Sequence, residues 1–235
     1  MALPSIPAGI TVREMAHWRL RASTFTPGRA LDGRQQYVHV ENRTWEAEYG
    51  VIGAWDALMG QWLAFLDEVG GPRRSFLVPV RNDLTLTYDG DLAAFQALAG
   101  ATPTQISDGF VRFSDGTTFS DGTGFALPSP ADPTVQADAL AGDARITLGG
   151  FFGTNLAVGA YFAIDNFLHR VQSNTAGDVV FNPPLRADAP AGTTAVVSAP
   201  FARVRFPDDA AWQQAIEIRR YYGPYRMTLV EAFDR

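Results

Sequence analysis

Short runs of alternating apolar and polar residues, cut apart by Gly, Pro, Asn and Asp, predict a mainly β protein. The expected architecture is a sheet built from both ends of the chain with one helix packed on it, plus an inserted compact antiparallel barrel or small sandwich. Three observations carry this. Residues 144–205 read ARITLGG, VGAYFAI, NFLHRVQ, GDVVFNPPLR, TTAVVSA and FARVRF, each run set apart by turn-forming residues. Within them Ala144, Ile146 and Leu148, and again Ala202, Val204 and Phe206 against Arg203 and Arg205, keep the period of two expected of half-buried strands. Strand-like runs of the same style stand near both ends of the chain, so both ends are expected to build one sheet and the middle to be an insertion. The expected boundaries are 1–103 and 200–235 for the two-ended sheet domain, 104–133 for a Gly/Ser/Asp-rich connector, and 134–199 for the inserted β domain.

Taken in order, residues 10–49 form the first block. Trp18, Leu20 and Ala22 alternate with Arg19, Arg21 and Ser23. Gln36-Tyr37-Val38-His39-Val40 and Trp45-Glu46-Ala47-Glu48-Tyr49 repeat the rhythm after Pro27-Gly28 and Asp32-Gly33, which predicts three strands of one sheet. Residues 28–34, with Arg29 and Arg34 and little to bury, project as a polar loop, either a plain hairpin connection or an assembly contact. Over 54–69, Trp55, Leu58, Met59, Trp62, Leu63, Leu66 and Val69 fall at three- and four-residue spacings and Gly70-Gly71-Pro72 supplies a stop, so a helix packs one face on a sheet. Arg73-Arg74 precede the apolar run Ser75-Phe76-Leu77-Val78-Pro79-Val80, which Pro79 places at a sheet edge or near a strand end.

Leu92, Phe95 and Leu98 mark a short helix over 91–98, ended by Gly100. Residues 104–133 then carry Ser-Asp-Gly three times, beginning at Ser107, Ser114 and Ser120. Stacked β-turns anchored by phenylalanine account for the triplets better than a calcium site, because their spacing fits neither the helix-loop-helix calcium pattern nor a strict nonapeptide repeat. Pro128, Pro130 and Pro133 stiffen the way into the barrel, where Asp165-Asn166 and Ala176-Gly177-Asp178 suit tight turns. Ala215-Ile216-Glu217-Ile218-Arg219 and the run from Met227 to Phe233 read as closing strands, the last pairing with the first block.

Composition narrows the function classes. The chain has 235 residues, 46% of them hydrophobic, enough for one large all-β core or two small ones. A net charge of −6 with scattered basic residues argues against direct nucleic-acid binding. The absence of Cys removes disulfide and thiolate-metal chemistry. Pro4 and Pro7 interrupt the apolar segment that a signal peptide needs, and no later run approaches membrane-spanning length, so a soluble protein made in the cytoplasm, without membrane insertion, is expected. His17, His39 and His169 stand alone in strand-like contexts, and none belongs to a zinc-protease, nucleophile-elbow or phosphate-loop motif. His169 is expected on the outward side of a strand. No catalytic, cofactor-binding or metal-ligating residue is assigned, and the chain is not expected to be an enzyme.

Two pieces resemble tail proteins of bacteriophages with long, non-contractile tails. One is the segment from Trp62 to Gly71 followed by Ser75-Phe76-Leu77-Val78-Pro79-Val80. The other is Val158-Gly159-Ala160-Tyr161-Phe162, Leu168-His169-Arg170-Val171 and Phe181-Asn182-Pro183-Pro184-Leu185-Arg186. Within that group the chain is most similar to distal tail proteins of siphophages. The resemblance implies a β-sandwich ring domain carrying a peripheral galectin- or OB-like β domain, and a ring, typically hexameric, that joins the tail tube to the tip or baseplate. It also implies partners in the tail tube protein and the hub or tip proteins, DNA passing through the lumen without specific binding, and a place in the virion tail tip. Arg29, Arg34, Arg73 and Arg74 are the candidate assembly contacts. The alternatives are another tail-tip ring or minor tail protein, or a module binding host-surface carbohydrate through aromatics such as Tyr161 or Phe167; for those two, burial in the barrel core is the stronger expectation.

Overall fold

The structure is a computed structural model. It describes residues 3–7, 17–25, 38–51, 57–80, 93, 96–97, 100–108, 110–111, 117–118, 124–126, 131–151, 156–217 and 225–233. The protein is mainly β, as its alternating runs require. The first sheet contains β1 (His17–Phe25), β2 (Val38–Val51), β3 (Phe76–Pro79), β11 (Phe201–Arg205) and β12 (Tyr225–Glu231), in the order β1-β2-β12-β11-β3. Each neighbouring pair is antiparallel. Strands from both ends of the chain are thus interleaved: β12 pairs with β2 through Leu229 against Ala47 and Met227 against Tyr49, and β11 pairs with β3 through Ala202 against Val78.

Alternation decides which face is buried. Trp45, Ala47 and Tyr49 of β2, Phe76 and Val78 of β3, Ala202 and Val204 of β11, and Met227 and Leu229 of β12 point inward, while Glu46, Glu48 and Arg205 stay on the other face. Helix α1 (Ala57–Val69) lays Trp62, Phe65, Leu66 and Val69 on that core. Trp62 stacks on Phe65, and Phe65 meets Phe76 edge-on at 5.3 Å between ring centres. Gly70 and Gly71, with φ of 61° and 92°, end the helix as their positions after Val69 suggest, and the Gly70 N–H donates to Leu66 O at 2.9 Å.

Three local expectations are corrected here. Val38-His39-Val40 and Trp45-Glu46-Ala47-Glu48-Tyr49 are not two strands but belong to one long β2, continuous through 41–44 because a register shift between Arg21 and Ser23 of β1 lets the pairing continue past the irregularity, while Gln36 and Tyr37 lie outside the described residues. Ala215-Ile216-Glu217 is not strand but the last turn of a helix, α3 (Asp209–Glu217). Asp208 caps it, its carboxylate accepting the Ala211 N–H at 2.7 Å, and Trp212 and Ala215, three apart, turn toward α1. The two helices are tied by the Trp62 indole N–H to Ala215 O at 3.2 Å and the Trp212 indole N–H to Leu66 O at 3.4 Å. The third concerns the Ser-Asp-Gly triplets of the connector. It opens with α2 (Pro103–Asp108), whose capping box joins Thr102 and Gln105 reciprocally, and holds a small pair, β4 (Phe110–Val111) with β5 (Phe125–Ala126). Ser107-Asp108 therefore closes a helix rather than a turn stack. The triplets at Ser114 and Ser120 and most of the 91–98 helix lie outside the described residues.

The second sheet has the order β6-β7-β10-β9-β8, from β6 (Thr134–Val135), β7 (Arg145–Gly149), β8 (Tyr161–Ile164), β9 (Phe167–Thr175) and β10 (Asp178–Asn182). It encloses its own core of Val135, Ile146, Leu148, Leu156, Phe162, Val171, Val179, Phe181, Leu185 and Val197. The expected turns are present: Asp165 and Asn166 both have positive φ, as do Ala176 and Gly177.

An internal repeat organises the rest of this unit. Ala137-Asp138-Ala139-Leu140-Ala141-Gly142 recurs as Ala187-Asp188-Ala189-Pro190-Ala191-Gly192. The copies lie antiparallel, Ala139 and Ala189 exchanging both backbone hydrogen bonds. Asp138 accepts the Ala191 N–H and Asp188 the Ala141 N–H, each at 2.8 Å. Gly142 N–H reaches Leu185 O while Gly192 N–H reaches Val135 O. Each of these contacts of one copy is returned by the other, so the repeat fixes itself. The chain enters and leaves side by side, with Thr134 bridged to Thr194 and the Asp132 carboxylate holding the Val197 and Ser198 N–H groups at 2.9 Å.

Two glycines of this unit separate backbone strain from crowding. Gly177 has φ +91° and a Cβ there would stand 2.5 Å from Leu148 O, whereas Gly192, at φ +87°, has open space around it. Gly192→Ala is expected to lower unfolding free energy by about 1 kcal/mol from the left-handed backbone alone, and Gly177→Ala by about 2–3 kcal/mol. Urea denaturation of the two variants measures the difference.

Candidate functional site at the junction of the two sheets

Where the second sheet meets the first, the inward face of β2 and β12 runs out of helix to cover it. Trp45, 1% exposed, is covered by the β8-β9 hairpin. Its indole N–H donates to Leu168 O at 2.6 Å, Tyr161 packs edge-on at 5.8 Å between ring centres, and the Arg170 guanidinium lies 5.7 Å over the ring. Trp18 of β1 closes the other side at 6.3 Å. Leu168 accordingly packs in the core of the first sheet, not the second. The hairpin tip is tied as well, with Arg203 N–H to Asn166 O at 2.9 Å and the Arg203 side chain bonding Ser75 Oγ while lying over Phe167.

Beside Trp45 sits a buried ion pair. Glu231, on the inward side of β12, accepts the Trp45 backbone N–H at 2.9 Å and both Nε and an Nη of Arg186 at 3.0 Å. The same Arg186 Nη donates to Arg43 O, and Phe233 covers the guanidinium at 4.7 Å. The side chains are 9% and 3% exposed. A carboxylate here satisfies a strand N–H and a bidentate arginine at once, so neither charge is left unpaired. Arg186 comes from the second unit, two residues before the repeat's Asp188, and Glu231 from the last strand of the chain.

His169 is placed opposite to expectation. It is fully buried, not outward: β9 turns it inward between Phe162 and Phe181, with Nδ1 2.8 Å from Pro183 O, and Nε2 has no partner among the described residues. The run Phe167-Leu168-His169 is buried at three successive positions, because the first sheet covers one side of β9 and the second core the other. Burial pushes the imidazole pKa down to about 4, against the Pro183 carbonyl which raises it, with the Arg186 charge a smaller lowering influence. A neutral imidazole at neutral pH, enclosed by phenylalanines, is a packing group rather than a base.

Of the expected assembly contacts, Arg29 and Arg34 lie outside the described residues. Arg73 and Arg74 are exposed just before the edge strand β3, and Arg74 also donates to Glu68 O at 2.9 Å, capping α1. Neither Tyr161 nor Phe167 lies in the barrel core as expected: Phe167 is buried at the junction, 8% exposed, under Arg203, and Tyr161 is half-buried against the core of the first sheet. A shallow groove of about 450 Å³ on the second unit is lined by Asp138, Asp143, Arg145, Thr147 and Asp178. Its carboxylates already have partners: Asp138 and Asp143 take backbone N–H groups, and Arg145 holds Asp178 below the usual carboxylate range. Among the described residues no cluster of three or more His, Asp or Glu side chains could hold a metal ion, and no helix is long and apolar enough to cross a membrane. The junction itself was missed from sequence: Arg186 and Glu231 are 45 residues apart, and the one signal was an acidic residue at an inward position of an otherwise apolar strand.

Two measurements follow from this geometry. Arg186→Met leaves Glu231 buried and unpaired and is expected to cost about 3–5 kcal/mol, whereas the double variant Arg186→Met, Glu231→Leu recovers much of that loss, read by a double-mutant cycle in urea. His169 has a folded pKa of about 4 against 6.5 in the unfolded chain. Between those values the unfolded state binds a proton that the native state refuses, so stability falls as pH drops through that window, by roughly 3 kcal/mol in all. His169→Phe removes that slope, which denaturation at a series of pH values would show. No protein-family model matches the chain, and no curated protein matches it significantly.

Proposed function

We propose that the chain is a structural virion protein whose copies form a ring joining a siphophage tail tube to the tail tip or baseplate, with DNA passing through the lumen. The observation that carries this reading is the way the first sheet is bounded. Both ends of the chain are woven into it, and its two edges are treated differently: β3 is covered by residues 4–6, with Ser5 bridged in parallel to Leu77, while β1 pairs with β2 alone among the described strands. An edge nine residues long and bounded on one side only is a template for another chain, and rotational symmetry removes such edges by closing a ring. The resemblance of the segments around Trp62–Val80 and Val158–Arg186 to distal tail proteins supplies the biological setting, and the tightly seated second unit suits a peripheral domain carried at fixed orientation.

On the outer face of the first sheet Arg19 pairs with Glu46 and Arg226 with Glu48, and the exposed Arg21 and Arg205 lie on the same face. Light scattering and negative-stain images of the full chain, alone and mixed with a tail tube protein, test the proposal. A discrete hexameric mass and six-fold projections are expected; a monomer under both conditions overturns it.

A further inference from the structure

Residues 4–6 form a short arm on the edge strand β3. Leu77 N–H donates to Pro4 O at 2.8 Å and Ile6 N–H to Leu77 O at 3.2 Å, while Ile6, 8% exposed, plugs the core of the first sheet. The next strand in the chain, β1, lies at the opposite edge of the same sheet. Nine residues, 8–16, make the connection.

The register fixes how far that connection must go. Phe76 pairs with Val204 and Val204 with Glu231, whose carboxylate takes the Trp45 N–H, and Trp45 pairs with Leu20. Leu77 and its partner Ser5 are thus level with Arg21. The four antiparallel pairings across the sheet leave β1 and β3 pointing the same way, and the arm is parallel to β3. Pro7 is therefore about six residues further along the strand direction than His17, or roughly 20 Å, and about five strand spacings to the side, or roughly 24 Å. Measured along the sheet the gap is about 31 Å, and ten Cα steps reach only about 33–36 Å when fully extended. Docking on its own β3 leaves the connection little slack.

A neighbour relieves this. In a head-to-tail ring the β1 edge of one copy faces the β3 edge of the next, since these are the two different edges of one sheet. An arm lying on the neighbour's β3 then stands about one spacing from its own β1, and the span falls to roughly 21 Å. We propose that in the assembled protein the arm at residues 4–6 of one copy docks on β3 of the adjacent copy, inserted between that strand and its own β1, so that the sheets of successive subunits become continuous. The contacts made are those seen within one chain, so exchange changes the partner and not the interface, and the open β1 edge is covered in the same step. This rests on the reading of the chain as a self-assembling ring component.

The chain has no Cys, which makes the test direct. Ser5 is exposed and Leu77 half-buried, paired across the arm and on the same side of it, a spacing a disulfide can bridge. Full-length Ser5→Cys and Leu77→Cys proteins are mixed, allowed to assemble with or without tube protein, and oxidised. A covalent dimer in non-reducing gels, absent when Ser5→Cys is mixed with Gln136→Cys on the second unit, is expected. The double variant Ser5→Cys, Leu77→Cys, oxidised after assembly, is expected to run as a ladder of covalent multimers. If assembled double variant runs as an internally bridged single chain and the mixture gives no dimer, the arm docks on its own copy, and arm exchange is wrong while the ring reading stands. Assembled protein that forms neither bridge also overturns the exchange. Light scattering that finds only monomers in every mixture overturns the ring reading and the exchange with it.

Discussion

Glu231 is the constraint on which the two halves of this protein depend. A carboxylate on the inward side of the last strand is intolerable unless something supplies positive charge. Arg186, delivered by the second unit, does so with two N–H groups, and the Trp45 backbone provides a third donor. The first sheet therefore has an electrostatic reason to hold the second unit in one orientation. An apolar contact alone tolerates sliding, whereas a bidentate pair with a further bond to Arg43 O does not.

The second unit is built to be carried. Its two chain ends are zipped together at Thr134 and Thr194, and its paired Ala-Asp-Ala motifs satisfy one another without help from outside. What it lends to the first sheet comes from one side: Tyr161, Leu168 and Arg170 over Trp45, Arg186 to Glu231. Asp132, Asp138, Asp143 and Asp188 on its surface accept backbone amides, and Arg145 pairs with Asp178. Contacts of this kind hold the second unit rigidly against the first sheet.

The edges of the first sheet pose the complementary problem. One carries the short arm beside β3 and the other is met by no further described strand, so the two edges differ. An edge without a partner strand is a template for pairing, whereas the orientation of the second unit is already settled within the chain by Arg186 and Glu231.

Period-two alternation was enough to place Trp45, Ala47 and Tyr49, Ile146 and Leu148, and Ala202, Val204 and Phe206 inside, and helical spacing placed Trp62, Leu66 and Val69, because those patterns follow from backbone geometry alone. Asp165-Asn166 and Ala176-Gly177 were legible as turns for the same local reason. The Ala-Asp-Ala repeat was equally open to reading, but its meaning depends on the two copies meeting. The helix at Asp209–Glu217 was hidden because Ile216 and Ile218 imitate a strand, and only packing of Trp212 and Ala215 against α1 settles the matter. His169 was assigned to the wrong side because period two assumes one wet face, whereas β9 is covered on both. Residue spacing fixed those elements and apolar faces that rest on local backbone geometry, such as β2 from Trp45 to Tyr49 and helix α1. Tertiary structure alone decided that Arg186 meets Glu231 and that β1 and β3 bound the same sheet, since charge pairing and edge exposure exist only once residues far apart in the chain share one place.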